Sequence, residues 1–213
     1  MEPVLFADWY TDPFCSWSYA AEGAIETFRK HFGARLFFRH RLFPLYKDLA
    51  RFLARHELSS QAEFAPKVLK VSSVTGIPMS PKVWELGRAP GSTETCCLFA
   101  KAALTLDPSK GDLLLSRMRV LAFVEGEAID NRALLYREAT RLGLDAKRLE
   151  ELENTPSVAA SLQEDVDRAR EEGVSTRPTL VLTNAGGDRV FIGGLRNAEL
   201  FILAGETLVA EDV

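Results

Sequence analysis

The chain has 213 residues, of which 46% are hydrophobic and 26% are charged, and its formal net charge is −4. This composition is typical of a globular protein with one domain, or with one domain that carries an insertion. It contains no dense block of Lys or Arg that would indicate nucleic-acid binding, and no run approaches the roughly 20 apolar residues that span a membrane.

The N-terminus begins with Met1-Glu2-Pro3 and runs directly into a short apolar segment, residues 4–10, that has strand character. The segment lacks the basic and apolar regions of a signal peptide, so we expect a cytoplasmic protein. Three cysteines, an odd number, do not indicate a framework of structural disulfides.

The stretch from Asp12 to Tyr19 contains Cys15 and leads into an amphipathic helical pattern. A cysteine at the first turn of a helix lies where unpaired backbone N–H groups and the positive end of the helix dipole favour the thiolate, which is the nucleophilic form. The alternative is a small apolar residue packed at a helix start, since free cysteines are often buried. The local pattern leaves both open.

Past Gly33, residues 34–43 alternate apolar side chains on both faces, which predicts a second strand covered on both sides. Strand, helix and strand in this order predict a right-handed crossover and a parallel pair. From Leu45 the pattern becomes helical for more than a hundred residues. Strand character returns at residues 179–183 and again at 189–194, across a hairpin-type turn.

This layout, together with Asp12-Pro13-Phe14-Cys15 and a proline loop at residues 174–180, resembles the DsbA-like branch of the thioredoxin fold, including its cytoplasmic FrnE-like relatives. The resemblance implies an α/β fold with a central β-sheet and an inserted all-helical domain. Residues 1–44 and 174–213 would form the thioredoxin-fold domain, with the helix at 156–173 linking back to it. Residues 45–155 would form the insertion.

The resemblance also implies a site. Pro178 would be the cis-proline that faces Cys15, with Thr176 and Arg177 beside it and Trp17 offering a flat apolar contact surface. Because its guanidinium stays protonated, Arg177 would stabilise the thiolate and bind a carboxylate of glutathione; the alternative is a solvent-facing arginine. Where the family has a second cysteine this chain has Ser18, whose hydroxyl either supports the thiolate or is merely tolerated there.

A serine cannot attack a mixed disulfide, so the site is interpreted as a monothiol site whose mixed disulfide an external thiol resolves. The predicted function is a cytoplasmic thiol–disulfide oxidoreductase acting on a protein or small-thiol disulfide. No cofactor is expected to be bound permanently, and glutathione or a similar small thiol is the expected co-substrate. No nucleic-acid or membrane partner is expected.

Two alternatives remain open. Kappa-class glutathione transferases and 2-hydroxychromene-2-carboxylate isomerases share the architecture, with a serine at the position of Cys15, which predicts a glutathione-dependent transferase or isomerase. Adaptors that present the regulator Spx to a protease keep the fold for binding a peptide or protein partner.

The other two cysteines, Cys96 and Cys97, lie next to each other in the predicted insertion. Neighbouring helical residues point about 100° apart, so both cannot face one partner. The favoured interpretation is that they pack as small apolar residues, and a resolving role toward Cys15 is the minor alternative. With only three histidines, scattered along the chain, no metal site is predicted.

Overall fold

The structure is a computed structural model and describes residues 3–211, so the outermost ends of the two predicted thioredoxin-fold segments lie outside the described residues. The strands are β1 (Leu5–Thr11), β2 (Leu36–Leu42), β3 (Thr179–Asn184) and β4 (Arg189–Gly193). The α-helices are α1 (Ser16–Ala20), α2 (Glu22–Phe32), α3 (Leu49–Arg55), α4 (Ala65–Thr75), α5 (Lys82–Glu85), α6 (Thr93–Leu106), α7 (Pro108–Val120), α8 (Arg132–Arg141), α9 (Ala146–Glu153), α10 (Pro156–Glu171) and α11 (Ala198–Glu211).

The strands form a single mixed sheet in the order β2-β1-β3-β4. β1 pairs with β2 in parallel, while the β1–β3 and β3–β4 pairs are antiparallel. The two ends of the chain therefore build one sheet, and the predicted α/β thioredoxin fold with inserted helices is confirmed. The prediction that β2 is covered on both faces is wrong, because Phe37 and Arg39, on one face of the strand, are exposed, Phe37 by 44%.

One face of β1 packs on α2 and α11. Its alternating side chains Leu5, Ala7 and Trp9 are buried in a cluster with residues of these two helices. The approach is close at Gly205 of α11, where an added Cβ would lie 2.6 Å from the Phe32 ring. No other residue fits this position without displacing the ring.

A second, larger apolar cluster lies within the inserted helices. Phe14, the residue before Cys15, reaches into this cluster, with its ring centroid 5.2 Å from Trp84 and 5.6 Å from Phe123. The helical pattern at Leu45 does not yet form a helix, because α3 begins only at Leu49, where the Asp48 side chain caps it. This larger cluster also includes Ala20, Leu42, Val158 and Leu162 from outside residues 45–155, and a third, small cluster is formed by Tyr10, Ala169, Val174 and Val181. The division at residues 44/45 and 155/156 stays a prediction.

A buried ion cluster joins the insertion to the sheet. Asp165 of α10 is fully buried and accepts hydrogen bonds from Lys101 of α6, from Arg41 of β2 at 3.0 Å and from the backbone N–H of Leu42 at 2.9 Å. A buried carboxylate is tolerated only when it is paired in this way. The cluster therefore fixes α6 and α10 against the edge strand.

Candidate active site

Cys15 is the N-cap residue of α1, which begins at Ser16. Its backbone is extended, its carbonyl accepts from the N–H of Tyr19 at 3.0 Å, and its own N–H donates to the carbonyl of Asp12 at 3.3 Å. A turn that starts at Asp12 thus places Cys15 at the start of α1. The predicted helix is in fact two helices, α1 and α2, which meet at Ala21.

The thiol faces the proline loop from the other end of the chain. The Arg177–Pro178 peptide bond is cis, and the Cys15 Sγ donates to the Arg177 carbonyl oxygen at 3.7 Å. The Pro178 carbonyl in turn accepts from the N–H of Gly194 at 2.8 Å, which ties the loop to the end of β4. The structure therefore brings Cys15 and Pro178 together, although Cys15 is only 4% exposed.

The electrostatics of the thiol differ from the expectation that the helix start activates it. Burial raises the pKa of Cys15 above its ordinary value, and the nearby Asp12 carboxylate adds to this shift. Hydrogen bonds that the thiolate would accept from the hydroxyl and the backbone N–H of Ser18 lower the pKa, as does the charge of Arg177, but burial outweighs them. Desolvation disfavours the charged form, so the thiol is the resting form.

The remaining predicted residues surround the thiol unevenly. Ser18 is fully buried, and with Cys15 in its thiol form, donating to the Arg177 carbonyl, the Ser18 hydroxyl makes no hydrogen bond within the described part of the chain. Trp17 is 37% exposed, so its ring is available for contact. Thr176 is exposed, and its hydroxyl lies 3.2 Å from that of Thr179.

Arg177 is partly buried and is held by the chain segment at residues 43 and 44. Its guanidinium donates to the carbonyl oxygens of Phe43 and, at 2.6 Å, of Pro44, and it stacks 3.8 Å from the centroid of the Phe43 ring. These bonds use two of the five N–H donors of a guanidinium, so the carboxylate-binding role stays a prediction. Its charge still acts on the pKa of Cys15.

We expect Arg177→Ala to raise the pKa of Cys15 further, because it removes a cation that favours the thiolate. It also removes two charge-assisted hydrogen bonds, each of which contributes about 1.5–3 kcal/mol to stability. Thiolate absorbance against pH measures the first effect, and denaturant unfolding measures the second. Arg196→Ala, at an exposed arginine of the loop after β4, is the control. An unchanged Cys15 pKa in Arg177→Ala would show that the guanidinium has no electrostatic effect on the thiol.

Asp12 is a site residue that the sequence analysis did not identify. Its fully buried carboxylate accepts from the N–H of Phe14 at 2.6 Å and from the N–H of Leu45 at 2.7 Å, and the Cys97 thiol lies 3.6 Å away. Burial raises its pKa, while hydrogen bonding to the Thr93 side chain and to the N–H groups of Phe14 and Leu45, together with the charge of Arg177, lowers it. Asp12 thus joins the loop before Cys15 to the start of the insertion.

Cys96 and Cys97 are fully buried, and burial raises the pKa of both thiols. The Cys96 thiol donates to the carbonyl of Ile129 at 3.5 Å. All three cysteines are free. Within residues 3–211, no group of three or more His, Cys, Asp or Glu side chains is placed to hold a metal ion. No helix in this range has the length and apolar character needed to cross a bilayer.

This chain has the DsbA-like fold. Its cysteine at a helix start lies opposite a cis-proline, and its helical insertion lies in sequence between the two halves of one sheet, as in DsbA-like proteins. The chain belongs to the thioredoxin family, since the family model described as Thioredoxin matches residues 9–201.

Solved structures with the same fold include a candidate protein disulfide isomerase from Nitrosomonas europaea, with a TM-score of 0.78 and 20% identity over 99% of this chain and 100% of that one. The cytosolic disulfide reductase DsbM from Pseudomonas aeruginosa has a TM-score of 0.72 and 20% identity over 97% of this chain and 96% of its own; another of its structures contains glutathione.

Among curated proteins, the ClpXP adapter protein SpxH from Halalkalibacterium halodurans is 27% identical over 182 residues, or 84% of this chain. The matched segment spans 58% of that relative's length.

Proposed function

We propose that this protein carries out thiol–disulfide exchange with Cys15 as its single reactive thiol. The observation that carries the proposal is the 3.7 Å contact between the Cys15 Sγ and the carbonyl of Arg177, next to the cis-Pro178 bond. An extended substrate that pairs with the backbone of this loop would bring its sulfur to Cys15, as in strand addition. The predicted substrate contacts of Trp17 and Thr176 belong to this proposal.

The exchange proceeds in two steps without a net oxidant. The Cys15 thiolate attacks one sulfur of a substrate disulfide, so that a Cys15–substrate disulfide forms and the second substrate sulfur leaves as a thiolate. An external thiolate then attacks the substrate sulfur of this mixed disulfide, forms a new disulfide with it and releases the Cys15 thiolate. The external thiol replaces the second cysteine, because Ser18 cannot attack.

Glutathione is the external thiol that we propose, in a cytoplasmic setting. DsbM, which shares the fold, is described as cytosolic and has a structure with glutathione. The cytoplasm supplies glutathione and keeps thiols reduced. Because burial raises the pKa of Cys15, we expect slow exchange at neutral pH. Both exchange steps involve only thiols and disulfides, so no bound cofactor is required.

The test is to incubate the reduced protein with glutathione disulfide and to locate the adduct by peptide mass spectrometry. We expect one glutathione per chain, on Cys15, that added glutathione or dithiothreitol removes. A folded protein that acquires no adduct at Cys15, or acquires it on Cys96 or Cys97 instead, overturns the proposal.

A second candidate function is supported by the similarity to the SpxH adapter and by the nearly complete burial of Cys15. In this case the surface beside Pro178 would hold a partner protein for a protease, and no sulfur chemistry would be needed. The two candidates separate at Cys15→Ser, which leaves adaptor-dependent proteolysis unchanged but eliminates exchange.

A further inference from the structure

A groove of about 330 Å³ is lined by residues 43–48, by Arg51 and Arg55 of α3 and by Val166 and Arg170 of α10. We refer to it as the basic groove. Its volume is at the lower end of the range of small-ligand sites, about 300–1,000 Å³.

The basic groove is connected to the active site through hydrogen bonds of its wall. The N–H of Phe43 donates to the carbonyl of Thr11 at 2.8 Å, and the N–H of Leu45 donates to the carboxylate of Asp12 at 2.7 Å. The carbonyl of Pro44 accepts from Arg177 at 2.6 Å. One wall of the groove is thus attached to the loop that presents Cys15 and to the residue whose carbonyl faces the sulfur.

The charges around the groove are strongly unbalanced. Four cations line it, and Asp48 is the one acid that does. Lys47 pairs with Glu94 at 2.7 Å and Arg170 with Asp167 at 2.8 Å, both at exposed sites where ion pairs are weak.

The guanidinium groups of Arg51 and Arg55 have no ion-pair partner within residues 3–211. The Asp48 carboxylate is used as a helix cap and accepts from the backbone N–H of Arg51 at 2.7 Å. The positive charge also acts on His56: burial is the largest cause that lowers the pKa of this imidazole, and the charges of Lys67 and Arg55 lower it further. In a chain of net charge −4, this is a local excess of positive charge.

We propose that the basic groove binds an acidic stretch of polypeptide adjacent to the cysteine that exchanges with Cys15. This inference rests on the proposed function and adds the class of substrate to it. The buried Pro44, Tyr46 and Val166 provide an apolar floor for an extended chain. Arg51 and Arg55 provide two guanidinium groups, which bind carboxylates in a bidentate manner.

The test uses two synthetic peptides that carry one cysteine as an uncharged pyridyl disulfide and differ only in Glu or Gln at the flanking positions. Release of pyridinethione by wild-type protein is followed by stopped flow. At low salt we expect the Glu peptide to react about tenfold faster, with the advantage declining as salt rises, because exposed charges act mainly on the association rate.

The double variant Arg51→Glu/Arg55→Glu is expected to eliminate or reverse the preference for Glu. Lys147→Glu/Arg148→Glu, which makes the same charge change at exposed residues of α9, is expected to keep it. Equal rates for both peptides with wild-type protein, or a preference that survives in Arg51→Glu/Arg55→Glu, overturns the assignment of the groove while exchange itself stands.

Binding without chemistry separates the two proposals. Fluorescence anisotropy with Ser in place of the peptide cysteine is expected to show tighter binding of the Glu peptide, lost in Arg51→Glu/Arg55→Glu. If neither peptide reacts but this difference is seen, exchange is refuted and the groove is supported as a docking surface. If neither reacts and both bind equally, the groove assignment is refuted as well.

Discussion

Cys15→Ser is expected to eliminate protein-dependent thiol–disulfide exchange, so that the rate falls to that measured without protein. Serine is too weak a nucleophile to form the mixed disulfide, and no other thiol can replace Cys15 because Cys96 and Cys97 are fully buried. The measurement is the reduction of a protein disulfide with glutathione as the external thiol. Substitution is nearly isosteric, so the unfolding midpoint should change little.

Cys96→Ala is the matched control, since its thiol contacts the Ile129 carbonyl and not the site. We expect this variant to keep the wild-type exchange rate. Exchange that persists in Cys15→Ser would refute the monothiol mechanism. Loss of exchange in Cys96→Ala with an unchanged unfolding midpoint would give the insertion a chemical role that the account does not contain.

Asp12→Ala is expected to lower the free energy of unfolding by about 1–3 kcal/mol. The substitution leaves the N–H of Phe14 without an acceptor in the interior, whereas the N–H of Leu45 still donates to the Thr93 hydroxyl at 2.8 Å. Asp12→Asn should destabilise less than Asp12→Ala, because the amide retains one acceptor oxygen. It should still destabilise relative to wild type, because its NH₂ group cannot accept a hydrogen bond from the other donor. Denaturant unfolding measures both, with the exposed Glu151→Ala as the control.

The pH dependence of this effect has a defined sign. Burial raises the folded-state pKa of Asp12, so folding favours its protonated form. The stabilising contribution of the group is complete below the ordinary carboxyl pKa of about 3.9 and declines as pH rises through the folded-state pKa. The stability difference between wild type and Asp12→Ala should therefore decrease with rising pH. A difference that increases from acidic to neutral pH would contradict the burial of an ionisable carboxyl at this position.

The order of elements was predictable because local patterns determine it. Alternating side chains marked the strands, and the hairpin turn at residues 184–188 marked the β3–β4 pair, which the structure contains. The coverage of β2 was not predictable in this way, because it depends on which distant elements pack against the two faces of the strand.

The electrostatics of the site depended on contacts that span the chain. The Asp12–Pro13 pair next to Cys15 indicated a turn, and a carboxylate that accepts the N–H two residues on is common in such turns. That the same carboxylate also accepts from Leu45 could not be inferred from spacing. Likewise, the carbonyls of Phe43 and Pro44 that hold Arg177 are more than 130 residues away in sequence.

The direction of the Cys15 pKa shift also depends on contacts between distant parts of the chain. The helix start and Ser18 favour the thiolate and are visible in the sequence, whereas the burial that outweighs them arises from tertiary packing. Local patterns therefore predicted where Cys15 lies but not the direction of its pKa shift.

The most direct test of the account is the rate at which Cys15 reacts with an uncharged disulfide as a function of pH, with the site of reaction verified by mass spectrometry. Because burial raises the pKa of Cys15, we expect the rate to keep rising past pH 8.5, the ordinary pKa of a cysteine, with all modification on this residue. A rate that levels off below neutral pH, or a folded protein in which Cys15 fails to react at any pH, would contradict it.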